Sequence, residues 1–245
     1  MNQDGTGPLV AGAVNFRDVG GLPAGGARTR SGVLFRSGSL ARLEPGGVDA
    51  LRALGVRRVI DLREDDEVLR DPSRVAGLPL HTTRIPLFLG SVASFFEEDR
   101  SLPEMYAALV DGSADAIVQV VRGIVEEQPV LVHCTVGKDR TGVTVAVTLA
   151  AAGVDTAAVV ADYARTESLL PPRRSRAALE YLRARHPHAV HLEDLVTRSP
   201  ASVMNALLAD LQARYGSAAD YLRAHSLADD EVAELRRVLT DRIAQ

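Results

Sequence analysis

The chain carries one cysteine, Cys134, in the run His133-Cys134-Thr135-Val136-Gly137-Lys138-Asp139-Arg140-Thr141-Gly142. A lone cysteine by itself reads as a small buried hydrophobe. Its surroundings reverse that reading. The apolar run Val130-Leu131-Val132 precedes it, a seven-residue loop leads from Cys134 to Arg140, and an apolar stretch follows over 141–152. A loop that runs from a strand straight into a helix presents unpaired backbone N–H groups and the positive end of the helix dipole at one point, a ready anion site. Gly137 lets the backbone turn its amides inward, so that the loop from Thr135 through Val136 and Gly137 to Lys138 is expected to hold phosphate oxygens. Arg140 adds a planar fork of donors for two of those oxygens. The same dipoles favour the thiolate of Cys134, the form able to attack phosphorus and give a phosphocysteine that water later hydrolyses. His133 is expected to orient the loop and tune the thiolate rather than act as a base. Thr141 is expected to donate its hydroxyl to the sulfur.

The surrounding pattern supplies elements to hold this loop. Short strands are predicted over 33–36, 56–62, 82–87 and 130–132, the last fully apolar as in the middle of a parallel sheet. Pro86 is tolerated only near the end of its strand. Helices are predicted over 44–54, 102–110, 114–127, 141–152 and 156–166, with Gly55 and Gly153 as stops and Pro171-Pro172 as a break. The stretch 141–152 is apolar almost all round, which marks a buried helix. Residues 1–14 read as an irregular arm, and the C-terminal region is helical. Strands alternating with helices imply an α/β domain with a central, mostly parallel sheet flanked by helices. No repeat or linker divides the chain, so 1–245 is expected to form one domain.

Composition narrows the function classes. The chain has 245 residues, 46% hydrophobic, with a formal charge of −4, too balanced for non-specific nucleic-acid binding. No run is long enough to span a membrane and the start lacks a signal pattern, so a cytoplasmic address is the default, although unconventional export leaves no readable mark. One cysteine allows no internal disulfide and no thiolate metal cage. No metal or other cofactor is expected.

The loop from His133 to Gly142 resembles the signature loop of the protein-tyrosine phosphatase superfamily, and more narrowly its bacterial and fungal tyrosine/serine branch, whose loop carries Lys-Asp before the Arg. Three further segments are similar to that branch: Asn15-Phe16-Arg17-Asp18-Val19-Gly20-Gly21, Val33-Leu34-Phe35-Arg36-Ser37-Gly38 and Val59-Ile60-Asp61-Leu62-Arg63. Asp162-Tyr163 and the stretches around Tyr215 and Tyr221 fit as well. The resemblance is weakest over 87–128. It implies a cysteine phosphatase fold, hydrolysis of phosphomonoesters, and use of the loop aspartate, Asp139, as the acid that protonates the leaving group.

Asp61 is the second candidate acid, because it ends a strand whose C-terminal edge should face the site; an ion pair with a neighbouring Arg competes with that role. The cluster Glu97, Glu98 and Asp99 reads as a solvated face. Lys138 is expected to raise the positive potential at the loop and so to admit phosphotyrosine, phosphoserine or phosphothreonine in proteins, and phosphoinositides. Phe88, Leu89, Phe95 and Phe96 fit either a helical lid inserted over 87–128 or the core of those helices, and the resemblance favours the lid. His186, His188 and His191 read as a surface loop, and Arg173, Arg174, Arg176, Arg183 and Arg185 as a solvated helix face. A phosphate-reading module without turnover is the competing class, opposed by intact Cys134, Asp139 and Arg140.

Overall fold

The computed structural model describes residues 9–87 and 98–242. Its main sheet has five strands: β1 (Arg17–Asp18), β4 (Leu34–Ser37), β7 (Val130–His133), β5 (Arg58–Asp61) and β6 (His81–Arg84), in that spatial order. All neighbours are parallel except β1 with β4. The apolar run at 130–132 thus becomes the middle strand, its four residues fully buried between layers of helix. Since β4, β5 and β7 run the same way, Ser37, Asp61 and His133 come level at their C-terminal ends, where the cysteine loop begins. That edge is where parallel sheets bind ligands.

β6 is mostly exposed, as an edge strand can be, and its pairing outlasts the strand proper. Ile85 and Leu87 donate to Asp61 and Leu62 at 3.0 and 3.2 Å, while Pro86, lacking an N–H, interrupts nothing. A second, small sheet joins β2 (Pro23–Ala24), β3 (Ala27–Thr29) and β8 (Thr240–Arg242), all antiparallel, and ties the C-terminal end of the described chain to its N-terminal part.

The helices are α1 (Pro45–Ala53), α2 (Asp65–Arg70), α3 (Leu102–Gly112), α4 (Ala114–Glu126), α5 (Arg140–Ala151), α6 (Thr156–Ala164), α7 (Thr166–Leu169), α8 (Pro172–Arg185), α9 (Leu192–Thr197), α10 (Ala201–Tyr215), α11 (Ala218–Ala224) and α12 (Asp229–Leu239). α5 is central: every residue of it but Ala150 is buried, as its all-round apolar sequence requires. Pro171 and Pro172 do not simply break the chain. Pro172 opens α8, where a missing N–H costs nothing.

The region 87–128 divides into two parts. Its helices α3 and α4 are core: Tyr106, Leu109, Val110, Ile117, Val120, Val121 and Ile124 are fully buried in one cluster with Ile60 and Val132 of the sheet. Each such aliphatic side chain contributes about 1.5–3 kcal/mol relative to exposure. Phe88, Leu89, Phe95 and Phe96, on which the lid expectation rests, lie outside the described residues, as does Glu97 of the acidic cluster.

Candidate active site

Cys134 leaves β7 at the sheet's C-terminal edge and is buried, and Arg140 opens α5 at the far end of the loop. Gly137 makes the turn between them. Its φ of +77° suits glycine, and a Cβ there would lie 2.4 Å from the Ser37 carbonyl oxygen, so space as well as backbone conformation demands glycine. Its N–H donates to Cys134 Sγ at 3.3 Å, one loop amide aimed at the nucleophile.

The loop's carbonyls are held by neighbouring segments. The Gly137 carbonyl accepts from Asn15 Nδ2 at 2.8 Å and from Arg36 Nη2 at 3.0 Å. Ser39 N–H donates to the Thr135 carbonyl and Leu62 N–H to that of His133. With these carbonyls tied to the scaffold, the loop amides are left for an anion. Arg36 and Arg17 are themselves held by Asp162, at 2.7 Å each, in a fully enclosed cluster. Burial works to raise the Asp162 carboxyl, but Arg36 and Arg17 outweigh it and keep it below the usual carboxylate range. Burial and the Arg36 charge pull Arg17 down to about 10. The segments that resemble the phosphatase branch around Asn15, Arg36 and Asp162 are therefore the struts of the loop. Their sequence similarity was visible; their joint task was not.

The Arg140 fork meets Glu67 end-on, with Nη1 to Oε2 at 2.6 Å and Nη2 to Oε1 at 2.8 Å. The Thr135 hydroxyl also donates to Glu67. Glu67 Oε2 in addition accepts the Glu64 N–H, so one carboxylate caps α2 and grips the arginine. Burial opposes the charge on Glu67, yet the Arg140 and Thr135 bonds bring its carboxyl down to about 2. Arg140 is correspondingly raised, burial being overcome by Glu67 and by the nearby sulfur. Among the described residues no loop amide bonds Glu67, whose loop contacts are the Thr135 hydroxyl and the two terminal nitrogens of Arg140. The only sequence signal for Glu67 was its position in the acidic first turn after a strand that ends at the site.

Asp139 has one oxygen committed. Oδ1 accepts from the Tyr106 hydroxyl at 2.9 Å and faces Lys138 Nζ at 3.1 Å, while Oδ2 bonds nothing among the described residues. A carboxyl with one free oxygen at the loop can present a proton to a leaving group. Tyr106, on α3 and 33 positions away, gave no sequence signal at all.

Several expected roles change in the structure. Lys138 is buried, and its ammonium donates to the carbonyls of Asp194 and Arg198 as well as facing Asp139; it is a strut to the α9 region, not an open positive charge over the loop. Asp61 is buried against Arg63, with bonds of 2.9 and 2.7 Å. Burial would raise its carboxyl, but the Arg63 bonds and the His133 and Arg63 charges hold it low, so it is a poor proton donor and the competing ion-pair reading holds. Thr141 does not reach the sulfur: its hydroxyl is buried without a hydrogen-bond partner among the described residues, and it is the Gly137 N–H that donates to Sγ. His133 Nδ1 lies 3.1 Å from the Cys134 carbonyl oxygen, as an orienting residue would. Burial pushes its imidazole down despite the Asp61 charge, and because a carbonyl oxygen only accepts, Nδ1 is the donor in that contact. Asp99 accepts the His191 N–H, far from the loop in role.

A cavity of about 380 Å³ opens beside the loop, with Thr135 and Val136 on one wall. Arg42, Arg70 and Arg174, all exposed, line it from three separate segments.

A sequence profile described as the tyrosine phosphatase family matches residues 8–241. The triple specificity protein phosphatase PtpB of Mycobacterium tuberculosis is 32% identical over 273 aligned residues, spanning 94% of this chain and 98% of that protein. A tyrosine-protein phosphatase of Nostoc commune is 32% identical over 213 residues, 82% of this chain and 72% of its own. Among solved structures, the core catalytic domain of the PP-IP phosphatase SIW14 from S. cerevisiae aligns at 15% identity over 64% of this chain and 78% of that one, with a TM-score of 0.41.

Proposed function

Because this chain belongs to the tyrosine phosphatase family and is a cysteine-dependent phosphatase, we propose that it hydrolyses phosphotyrosine and related phosphoprotein monoesters through a phosphocysteine on Cys134. The carrying observation is the loop itself: a buried thiol facing the Gly137 amide, with Arg140 at the other end locked in place by Glu67. The ester phosphate seats on the loop amides of 135–140 and on the donors of Arg140 that Glu67 leaves free. The Cys134 thiolate attacks phosphorus in line as the bond to the phenolic oxygen breaks. Charge on the three equatorial oxygens meets the amides and the guanidinium. The proton on Asp139 Oδ2 passes to the departing oxygen. Asp139, now ionised, takes a proton from the water that attacks the phosphocysteine, which releases phosphate and restores the thiolate.

A second reading, hydrolysis of phosphoinositides by the same steps, is supported by the cavity beside the loop. Three arginines from separate segments converge there without a carboxylate partner among the described residues, and Asp71 is the one unpaired acid on the described wall. Such a rim suits a substrate with a second phosphate near the first.

The test is release of p-nitrophenol from p-nitrophenyl phosphate with chelator present, by the protein and by Cys134→Ser. Turnover that survives chelation and vanishes in the variant is expected; turnover retained by the variant would overturn the reading. Parallel assays on a phosphotyrosyl peptide and on soluble phosphoinositides rank the two substrate classes.

A further inference from the structure

We propose that Tyr106 is a positioning residue for the general acid: with Tyr163 behind it, it fixes Asp139 so that the transferable proton sits on Oδ2. This rests on the assignment of Asp139 as the acid.

Tyr106 and Tyr163 are both fully buried, on α3 and α6, and their rings meet edge to face with centroids 6.0 Å apart. Their hydroxyl oxygens are 2.8 Å apart. A phenol has a single hydrogen, and that of Tyr106 goes to Asp139 Oδ1 at 2.9 Å. Tyr163 must therefore donate to Tyr106, which gives the hydrogen bonds one direction: Tyr163 to Tyr106 to Asp139. Burial, reinforced by the Asp139 charge, pushes both phenols well up from their ordinary range, so both stay protonated and keep that direction.

Lys138 Nζ completes the arrangement at 3.1 Å from the same Oδ1 and is itself pinned by two carbonyls. An oxygen that receives a phenol hydrogen and faces an ammonium is the one on which negative charge is best stabilised, and so the less basic of the two. In the acid form the proton therefore favours Oδ2, and rotation of the carboxyl, which would exchange the two oxygens, would break the Tyr106 bond. The core encloses two hydroxyls that satisfy no other group, which packing alone does not require, since phenylalanine would fill the same space.

The experiment compares Tyr106→Phe, Tyr163→Phe, Asp139→Asn and the double variant Tyr106→Phe/Asp139→Asn on phenyl phosphate, whose leaving group needs a proton, and on p-nitrophenyl phosphate, whose leaving group needs it far less. Tyr106→Phe is expected to lower kcat on phenyl phosphate about tenfold with KM unchanged, and to leave kcat on p-nitrophenyl phosphate within about twofold. Tyr163→Phe should show the same pattern more weakly, which keeps the test alive should Tyr106→Phe not fold. In the Asp139→Asn background the Tyr106 change should have no further effect. Equal losses on both esters, or a further loss in the double variant, would overturn the proposal. So would an unchanged Tyr106→Phe beside an Asp139→Asn variant that responds to the leaving group. If Asp139→Asn is itself insensitive to the leaving group, the acid assignment fails and this proposal with it, whereas metal-free turnover lost in Cys134→Ser would still stand.

Discussion

Replacing Glu67 by Gln separates two ways in which a carboxylate can sit beside a phosphate-binding arginine. The substitution keeps size and one carbonyl oxygen but removes the charge. In the structure that charge is shared between bonds of 2.6 and 2.8 Å to the Arg140 fork, with Glu67 19% exposed and Arg140 only 7%. Charge-assisted bonds of this kind contribute about 1.5–3 kcal/mol, and partial solvent access at Glu67 argues for the lower end. Gln can keep one of the two, so a loss of about 1.5–2 kcal/mol in the holding of Arg140 is expected. If Arg140 must be held in one orientation to bind the transferring phosphate, kcat/KM falls by about 10- to 30-fold. The assay is steady-state hydrolysis of p-nitrophenyl phosphate, with inorganic phosphate as competitive inhibitor to read ground-state anion binding. A rise in kcat/KM together with tighter phosphate inhibition would refute the reasoning, because it would mean that Glu67 competes with phosphate instead of bracing Arg140. The sign of the pH effect follows from the same pair. Glu67 has its carboxyl brought from an ordinary 4.5 down to about 2 in the folded protein, so its stabilising contribution is complete above about pH 4.5 and is lost as pH falls toward 2. Equilibrium denaturation across that window should show a shallower decline for Glu67→Gln than for the parent protein.

Two other substitutions probe the frame around the loop. Asp162→Asn leaves Arg17 and Arg36 buried without their shared carboxylate, and should cost about 3–5 kcal/mol in chemical denaturation and loosen the loop through the Gly137 carbonyl; a loss below about 1 kcal/mol would contradict that account. Arg140→Lys replaces a fork held at two points by a point charge and should lower kcat/KM at least about a hundredfold with the fold intact by circular dichroism; activity close to the parent's would show that the geometry of the fork is not needed.

Much of this site could be read along the chain because its main parts are neighbours there. Cys134, Gly137, Asp139 and Arg140 lie within one strand–loop–helix unit whose apolar flanks declare themselves by composition. The central strands and the buried helix α5 were legible for the same reason. What stayed hidden depends on contacts distant in sequence. Lys138 sits in a loop that invites an anion-binding role, yet it reaches carbonyls 56 and 60 positions away. Tyr106 and Asp139 are 33 positions apart, and Arg17 and Asp162 are 145 apart, with nothing local to link them. Thr141 follows the loop in the position expected of a sulfur donor, but the distance from its hydroxyl to the sulfur is set by the turn of α5, which sequence does not reveal. The strands β1, β2, β3 and β8 have two or three residues each, too short to develop a period-2 pattern, and form only because other segments offer them partners.

The central claim is that Cys134 carries the phosphoryl group between substrate and water. Acid quench during steady-state turnover of a phosphotyrosyl peptide, followed by mass spectrometry of the peptide that contains Cys134, tests it directly. The account predicts a phosphate on Cys134 that is absent from Cys134→Ser and that accumulates in Asp139→Asn when p-nitrophenyl phosphate, whose leaving group needs little protonation, replaces the peptide, because water then lacks its base. Turnover that continues with no phosphate on Cys134 in either the parent protein or Asp139→Asn would contradict it.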